Sequence, residues 1–452
     1  MKKKTWFRIH SFTGVITGLL MFVVCWSGTF AVISHELDWL MTPEARVEAR
    51  GQPVSWGTLE AAVMAAYPEA SLGSLSAPLY PSSAAEAVID LPHQEAVRVY
   101  LDPYTGEILG QYSYFNIQRF FRSFHMNLFI PFGVGSYTVM TLALTLLVSA
   151  VAPLYFYKRW WRRFFQFKGR AGGRARWSEL HKLAGLWSLW FILVIALTGV
   201  WYLYERLQGD LLDGPYNFVG LSGEMEVPAP QSSPSLARLP VDQVIAEARG
   251  QWPEFDITRM ARGWYSGHED VIYLQGQNGF PLVRDRANQM HIDQRSGEVL
   301  WQNSAADLPA YWLMSNMADP LHFGNFGGLW SKAIWFVFGL VLSGLIFTGT
   351  YLHAQRLARE AGGRARHRWP GTGAAIAVSL LVLVASVPFG LATAQELYGP
   401  SAEGVKQLPT LAPGVRALMV GWVVATLAML AGWVALLWRP RRTQTATSAI
   451  LP

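Results

Sequence analysis

The sequence predicts an α-helical integral membrane bundle of six transmembrane helices, a duplicated four-helix core plus two, that carries two α+β domains on one side of the bilayer. Three observations predict it. Of 452 residues 51% are hydrophobic and only 15% charged, too apolar for an ordinary soluble chain. The apolar residues gather into runs at 11–34, 134–156, 182–204, 331–352, 373–394 and 414–437, each able to cross about 30 Å of hydrocarbon as roughly 20 helical residues. The chain also repeats itself over residues 1–355. The net charge of +6 is concentrated beside the apolar runs, where orientation in a lipid bilayer explains it, and no nucleic-acid partner is expected. A single cysteine, Cys25, excludes a disulfide framework, a thiolate metal site and a covalently attached CxxCH haem.

The elements follow in order. Helix 1 (1–35) comes after Met1-Lys2-Lys3-Lys4. Its apolar stretch outruns a signal-peptide core and lacks a small-x-small cleavage site, so it reads as a retained anchor. Residues 36–124 form the first soluble domain: Pro53-Val54 opens a helical pattern ending at Tyr67-Pro68, and strands follow. They close in a hairpin that turns at Asp102-Pro103-Tyr104-Thr105-Gly106. Helix 2 (125–157) leads into a basic loop (158–180) whose Lys158, Arg159, Arg162, Arg163, Lys168, Arg170, Arg174 and Arg176 mark it as cytoplasmic. Helix 3 (181–204) and a second soluble domain (205–325) repeat the first set, from Pro240-Val241 to Trp252-Pro253 and on to a turn at Ser296-Gly297. Helix 4 (326–353), a second basic loop (354–372) with Arg364, Arg366 and Arg368, helices 5 and 6 (373–438) and a tail (439–452) with Arg439, Arg441 and Arg442 complete the chain. Even alternation leaves both termini cytoplasmic and both soluble domains outside.

The repeat singles out four histidines. His10-Ser11-Phe12-Thr13-Gly14 opens helix 1 as His181-Lys182-Leu183-Ala184-Gly185 opens helix 3. Eighteen residues past each histidine stands another glycine, Gly28 after Ser27 and Gly199 after Thr198. Such glycines let helices approach closely or leave room for a flat cofactor. His125 precedes helix 2 as His322 precedes helix 4. A pseudo-two-fold axis along the membrane normal then sets His10 opposite His181 near the cytoplasmic face and His125 opposite His322 near the outer face. Imidazoles in a bilayer are costly and mark function, and two facing neutral imidazoles are natural axial ligands of a b-type haem. The expectation is two haem b, with His10, His181, His125 and His322 on the iron; the bland alternative has these side chains capping carbonyls or lying among headgroups. His353 and His35 also lie at helix ends and compete for a place, without a counterpart in the other half. His93, His268, His291 and His367 are expected in loops. Arg119 and Arg122, just before His125, either hold haem propionates or an anionic ligand or mark the interface, and Trp160, Trp161 and Trp330 fit an interfacial belt.

Four stretches together resemble the PepSY-associated transmembrane family, also called iron-regulated membrane proteins, over residues 1–355. They are Arg8-Ile9-His10-x-x-x-Gly14; the hairpin Val99 to Gly110; Leu180-His181-Lys182-Leu183-Ala184-Gly185-Leu186-Trp187 with Leu197-Thr198-Gly199; and Pro320-Leu321-His322-Phe323-Gly324-Asn325-Phe326-Gly327-Gly328-Leu329. The resemblance implies two periplasmic PepSY-like domains on a bacterial inner-membrane di-haem oxidoreductase. Such a protein reduces a ferric siderophore in the periplasm, with His10, His125, His181 and His322 at the ligand positions. Two departures stand out: Gln294-Arg295-Ser296-Gly297 replaces Asp-Pro-x-Thr-Gly in the second copy, and helices 5 and 6 lie beyond the four-helix core. On this reading a quinol or a cytoplasmic reductase donates electrons, since no GxGxxG fingerprint opens a βαβ unit. Fe(II) is a softer, less charged acceptor for hard oxygen ligands than Fe(III), so reduction releases iron for uptake. The rival readings are PepSY-mediated binding or regulation of an envelope protein without redox activity, reduction of a different periplasmic acceptor such as copper, and a carrier. No Asp or Glu in the middle of any span disfavours the last.

Overall fold

The computed structural model describes residues 2–166, 173–212, 229–263, 266–360, 371–402 and 405–438. His367 and the loop and tail cations Lys168, Arg170, Arg364, Arg366, Arg368, Arg439, Arg441 and Arg442 lie outside the described residues. The first half runs α1 (Lys3–Ile16), α2 (Gly18–Val32), α3 (Ser34–Met41), α4 (Trp56–Ala66), β1 (Ser71–Ser76), β2 (Ala85–Leu91), β3 (Gln94–Leu101), β4 (Ile108–Ser113), α5 (Ile117–Asn127) and α6 (Phe132–Phe156). The second repeats it as α7 (Gly173–Trp187), α8 (Leu189–Leu212), α9 (Val241–Gln251), β5 (Asp256–Arg262), β6 (Val271–Gln277), β7 (Gln289–Asp293), β8 (Val299–Asn303), α10 (Ala310–Phe323) and α11 (Gly328–Glu360). Then come α12 (Thr372–Tyr398), the two-residue strands β9 (Ser401–Ala402) and β10 (Val405–Lys406), and α13 (Pro413–Trp438).

Backbone groups in hydrocarbon have no water to bond, so apolar runs of this length fold as helices. Among the described residues α6, α8, α11, α12 and α13 are each long and apolar enough to cross a membrane, and α1 with α2 makes a sixth span if the pair, bent by 69°, is counted as one. The sequence predicted unbroken helices over 11–34 and 182–204; the structure breaks both, at Thr17 and at Ser188, the same place in the repeat. At both breaks a hydroxyl bonds the preceding turn, Thr17 Oγ1 donating to Thr13 O at 2.7 Å and Ser188 Oγ to Ala184 O at 2.6 Å, a bond that competes with the helical ladder. Each histidine-bearing opening turn thereby becomes a helix of its own.

The halves pack alike, α1 on α6 and α7 on α11, with α2 against α11 and α6 against α8 closing the four-helix core. The last two spans pack on the first half and on α11. Trp422 meets Phe120, Phe121, Phe124 and Phe30 edge-on, Trp26 Nε1 donates to Thr426 Oγ1 at 3.0 Å, and the fully buried Trp433 lies where a side chain on Gly18 would stand.

The soluble segments, expected as two separate domains, share one antiparallel sheet of order β4-β3-β2-β1-β5-β6-β7-β8. The first strand of each copy joins them, with Leu75 opposite Met260. One face buries Leu75, Val99, Leu101, Met260, Leu274 and Ile292 in a core shared with α4 and α9, while Glu86, Arg98, Arg259 and His291 alternate onto the other. His291 is therefore a strand residue, fully buried between Tyr273 and Trp301, and not in a loop. The second copy's departure from the turn motif leaves the turn intact. Asp102 accepts from Tyr104 N and Asp293 from Arg295 N, Thr105 and Ser296 accept from Glu107 N and Glu298 N, and Gly106 and Gly297 both sit at φ 78°, where glycine is favoured.

Candidate functional site

The repeat builds two cavities, one at each end of the four-helix core, each lined by two of the four singled-out histidines. At the end away from the sheet, His10 on α1 faces His181 on α7, ring centroids 6.4 Å apart. His10 Nδ1 is 2.9 Å from Ser149 O and His181 Nδ1 is 2.8 Å from Thr348 Oγ1. Gly14 and Gly185 line this cavity and leave it open: a Cβ on Gly14 would meet nothing within 4 Å, and one on Gly185 only Leu345 at 4.0 Å. The empty space, part of it open to the surroundings, is about 1500 Å³.

At the sheet side, α5 and α10 carry the other pair on their last turns. Each helix stops just past its histidine in a left-handed residue, Leu128 or Gly324. His125 and His322 face each other with centroids 6.0 Å apart. His125 Nδ1 is 2.9 Å from Val24 O and His322 Nδ1 is 2.8 Å from Thr198 Oγ1. The cavity, about 1380 Å³ of empty space, is bounded by Gly28 and Gly199 and rimmed by Arg122, Arg284 and Arg286. Met21, Leu146 and Leu342 line both cavities, so a single layer of apolar side chains divides them.

The charged rim breaks the repeat's symmetry. Arg122 and Asp319 occupy matching places, three residues before His125 and His322. Asp319 accepts from Tyr202 Oη and from Arg284, both at 2.7 Å. Burial alone would raise its pKa, but Arg284, then Arg122 and Tyr202, hold its carboxyl well below the usual carboxylate range. Arg284 also donates to Asn316 at 2.8 Å, pinning α10 to the sheet, and Glu205 accepts from Ser315. Asp319, Arg284 and Glu205 escaped the sequence reading, although Asp319 was findable from the Arg122 offset.

The other candidates separate. His353 lines the cavity away from the sheet, with Arg356 on its Nδ1 at 3.1 Å. His35 is exposed on α3 and lines neither cavity. Arg122 lines the sheet-side cavity, its guanidinium 6.0 Å from the Phe323 ring. Arg119 does not line it: it donates to Tyr114 Oη and stacks 4.2 Å over that ring.

Both pairs suit a metal held between two imidazoles. A carbonyl only accepts, so the ring nitrogens facing Ser149 O and Val24 O carry the proton and leave Nε2 as the lone-pair donor. A metal bonded at about 2 Å to a nitrogen on either side separates the ring centroids by roughly 6 Å, which both pairs match. Each pair supplies two donors, and among the described residues no group of three or more His, Cys, Asp or Glu could hold a metal ion. A metal here would take its other ligands from a flat macrocycle; Gly14 and Gly185 leave open wall beside His10 and His181, whereas Gly28 and Gly199 stand against His125 and Ala143.

A family model described as the PepSY-associated TM region matches residues 7–356. An uncharacterized protein of Pseudomonas aeruginosa is 28% identical over 258 residues, which is 54% of this chain and 64% of that relative. The match thus spans a little under two thirds of the relative's length.

Proposed function

The chain belongs to the PepSY-associated transmembrane family, and from that premise we propose that it is a di-haem b oxidoreductase of the bacterial inner membrane. It would carry electrons from a quinol or a cytoplasmic reductase to a ferric siderophore in the periplasm. The observation that carries the proposal is the pair of facing imidazole sets, 6.4 and 6.0 Å between centroids, with every Nδ1 hydrogen-bonded to a carbonyl or hydroxyl oxygen. His10 and His181 would hold one haem and His125 and His322 the other. Each bound haem iron would supply reversible one-electron chemistry.

The chain's own residues do the rest. Met21, Leu146 and Leu342 keep the two sites one side-chain layer apart and exclude water between them. Arg122, Arg284 and Arg286 set positive charge around the sheet-side mouth, outweighing Asp319 and Glu205, and so favour an anionic chelate. Lys2, Lys3, Lys4, Lys158 and Arg159 lie at the end away from the sheet, which supports a cytoplasmic placement for that end and a periplasmic one for the PepSY-like sheet.

The test is an absorption spectrum of the detergent-purified protein, oxidised and then dithionite-reduced, with a haemochrome count. The expected result is two haem b per chain, His10→Ala and His181→Ala each disturbing one and His125→Ala and His322→Ala the other. Reduced protein mixed with a ferric hydroxamate should release Fe(II) to a ferrous chelator. A colourless protein after expression with ample haem overturns the proposal and leaves binding of an envelope protein by the sheet as the account of this chain.

A further inference from the structure

We propose that Thr198 and Thr348 are positioning residues that fix one imidazole of each cavity and set its strength as a ligand, while the facing imidazole is fixed by the main chain. This rests on the haem reading above and goes beyond it, because it assigns the two imidazoles of one site unequal donor strength.

The asymmetry is visible in the hydrogen bonds. His10 and His125, both from the first half, give Nδ1–H to the carbonyls of Ser149 and Val24. His181 and His322, both from the second half, meet a threonine hydroxyl. The hydroxyls are in turn oriented: Thr198 Oγ1 donates to Val194 O at 2.8 Å and Thr348 Oγ1 to Gly344 O at 3.0 Å. A hydroxyl that has given its proton to the preceding turn faces the imidazole as an acceptor, so the threonines select the tautomer with Nδ1–H and leave Nε2 for a metal. The bonded second nitrogen fixes ring orientation and raises ligand basicity.

The repeat shows what changed between the halves. Thr198 corresponds to Ser27, each preceding the glycine eighteen residues past its half's opening histidine. Ser27 Oγ still lies 3.5 Å from His125 Nδ1, but the imidazole takes the nearer Val24 O, and Ser27 donates to that same carbonyl at 3.0 Å. In the second half the hydroxyl itself has become the acceptor. A side-chain acceptor can be substituted without touching the backbone, whereas a carbonyl cannot.

Thr198→Val retains the branched shape and removes the acceptor, leaving the Nδ1–H of His322 without its partner. The expected result is a rise in one haem midpoint potential, since a less basic imidazole stabilises the ferric state less, with the other midpoint unchanged. A tenfold shift between oxidised and reduced forms reads as 59 mV in a one-electron titration. Haem affinity at that site should fall 10- to 100-fold, the usual cost of losing an outer-shell partner. Thr348→Val should act on the other haem alone, Thr198→Ser and Thr348→Ser should restore both properties, and Ser27→Ala should leave both midpoints in place. The measurement is a spectroscopic redox titration of the full-length protein, with haem counted in each sample and the ferric low-spin signals compared.

Unchanged midpoints and full haem content in both valine variants overturn the inference while the haem reading stands. A wild-type protein without haem overturns both. Should Thr198→Val lose its haem outright, Thr198→Ser decides: a retained haem with the wild-type midpoint supports the role, and loss there as well overturns it.

Discussion

Gly28→Ala is a one-carbon perturbation aimed at a single imidazole. A Cβ on Gly28 would stand 2.6 Å from Cε1 of His125, 2.9 Å from Nδ1 and 3.3 Å from Nε2, while ordinary contact between such atoms begins at about 3.5 Å. The ring must retreat by about 1 Å. It cannot do so and keep its 2.9 Å bond to Val24 O, because that carbonyl is on the same helix as the intruding methyl. Overpacking of this kind costs about 1–3 kcal/mol when the neighbours yield, and here the yielding atom is the proposed ligand. The expected outcome is one haem in place of two, with the site of His10 and His181 untouched. Gly421→Ala, on α13 with nothing within 4 Å of its would-be Cβ, controls for glycine removal from a span. A Gly28→Ala protein with two haems by haemochrome count and an unaltered ferric low-spin spectrum would refute the reasoning.

The sheet supplies two further predictions. Burial lowers the His291 pKa to about 4 from 6.5, so as the pH falls through 6.5 the unfolded chain gains a proton that the folded sheet refuses. Stability is full above 6.5 and is lost between 6.5 and about 4, by roughly 3 kcal/mol in all. Hydrogen exchange of β6, β7 and β8 on either side of that window should show the loss in wild type and not in His291→Phe; equal slopes would contradict it. Arg98, its side chain 7% exposed, pairs with Glu86, which is 35% exposed. Arg98→Ala should cost about 2 kcal/mol, less than the 3–5 of a fully buried pair because solvent screens Glu86. Arg98→Met with Glu86→Leu should recover most of that loss in an unfolding titration, and a double variant no better than the single would count against the assignment.

The spans and the facing histidines were legible because they depend on strong, local signals: uninterrupted apolar runs and a His-x-x-x-Gly spacing that opens helices 1 and 3 alike. Both offices named for the glycines occur: Gly14 and Gly185 border open space, while Gly28 and Gly199 allow close approach of His125 and Ala143. The breaks at Thr17 and Ser188 were not legible, because hydroxyls that bond the preceding turn in the same way stand inside unbroken helices, as Thr29 and Ser343 do. The joining of the soluble segments was hidden for a different reason. β1 and β5 alternate like any half-buried strands, and nothing in a strand's sequence names the partner across its edge. Arg119 shows the limit of proximity in sequence: three residues before Arg122 it is turned away from that residue's cavity, and only the placement of Tyr114 reveals that it serves the sheet.

The strand order of the sheet reads the same from either end, with the equivalent strands β1 and β5 antiparallel at its centre. That is the arrangement an isologous dimer of half-length chains would adopt, each offering its exposed first strand to an identical copy. In such a dimer every residue occurs twice about the axis, so the mouth of the sheet-side cavity would carry two arginines or two aspartates. A single polypeptide is free of that constraint. Arg122 on one side and Asp319 on the other give the cavity a polarity that no two-fold symmetric dimer could have.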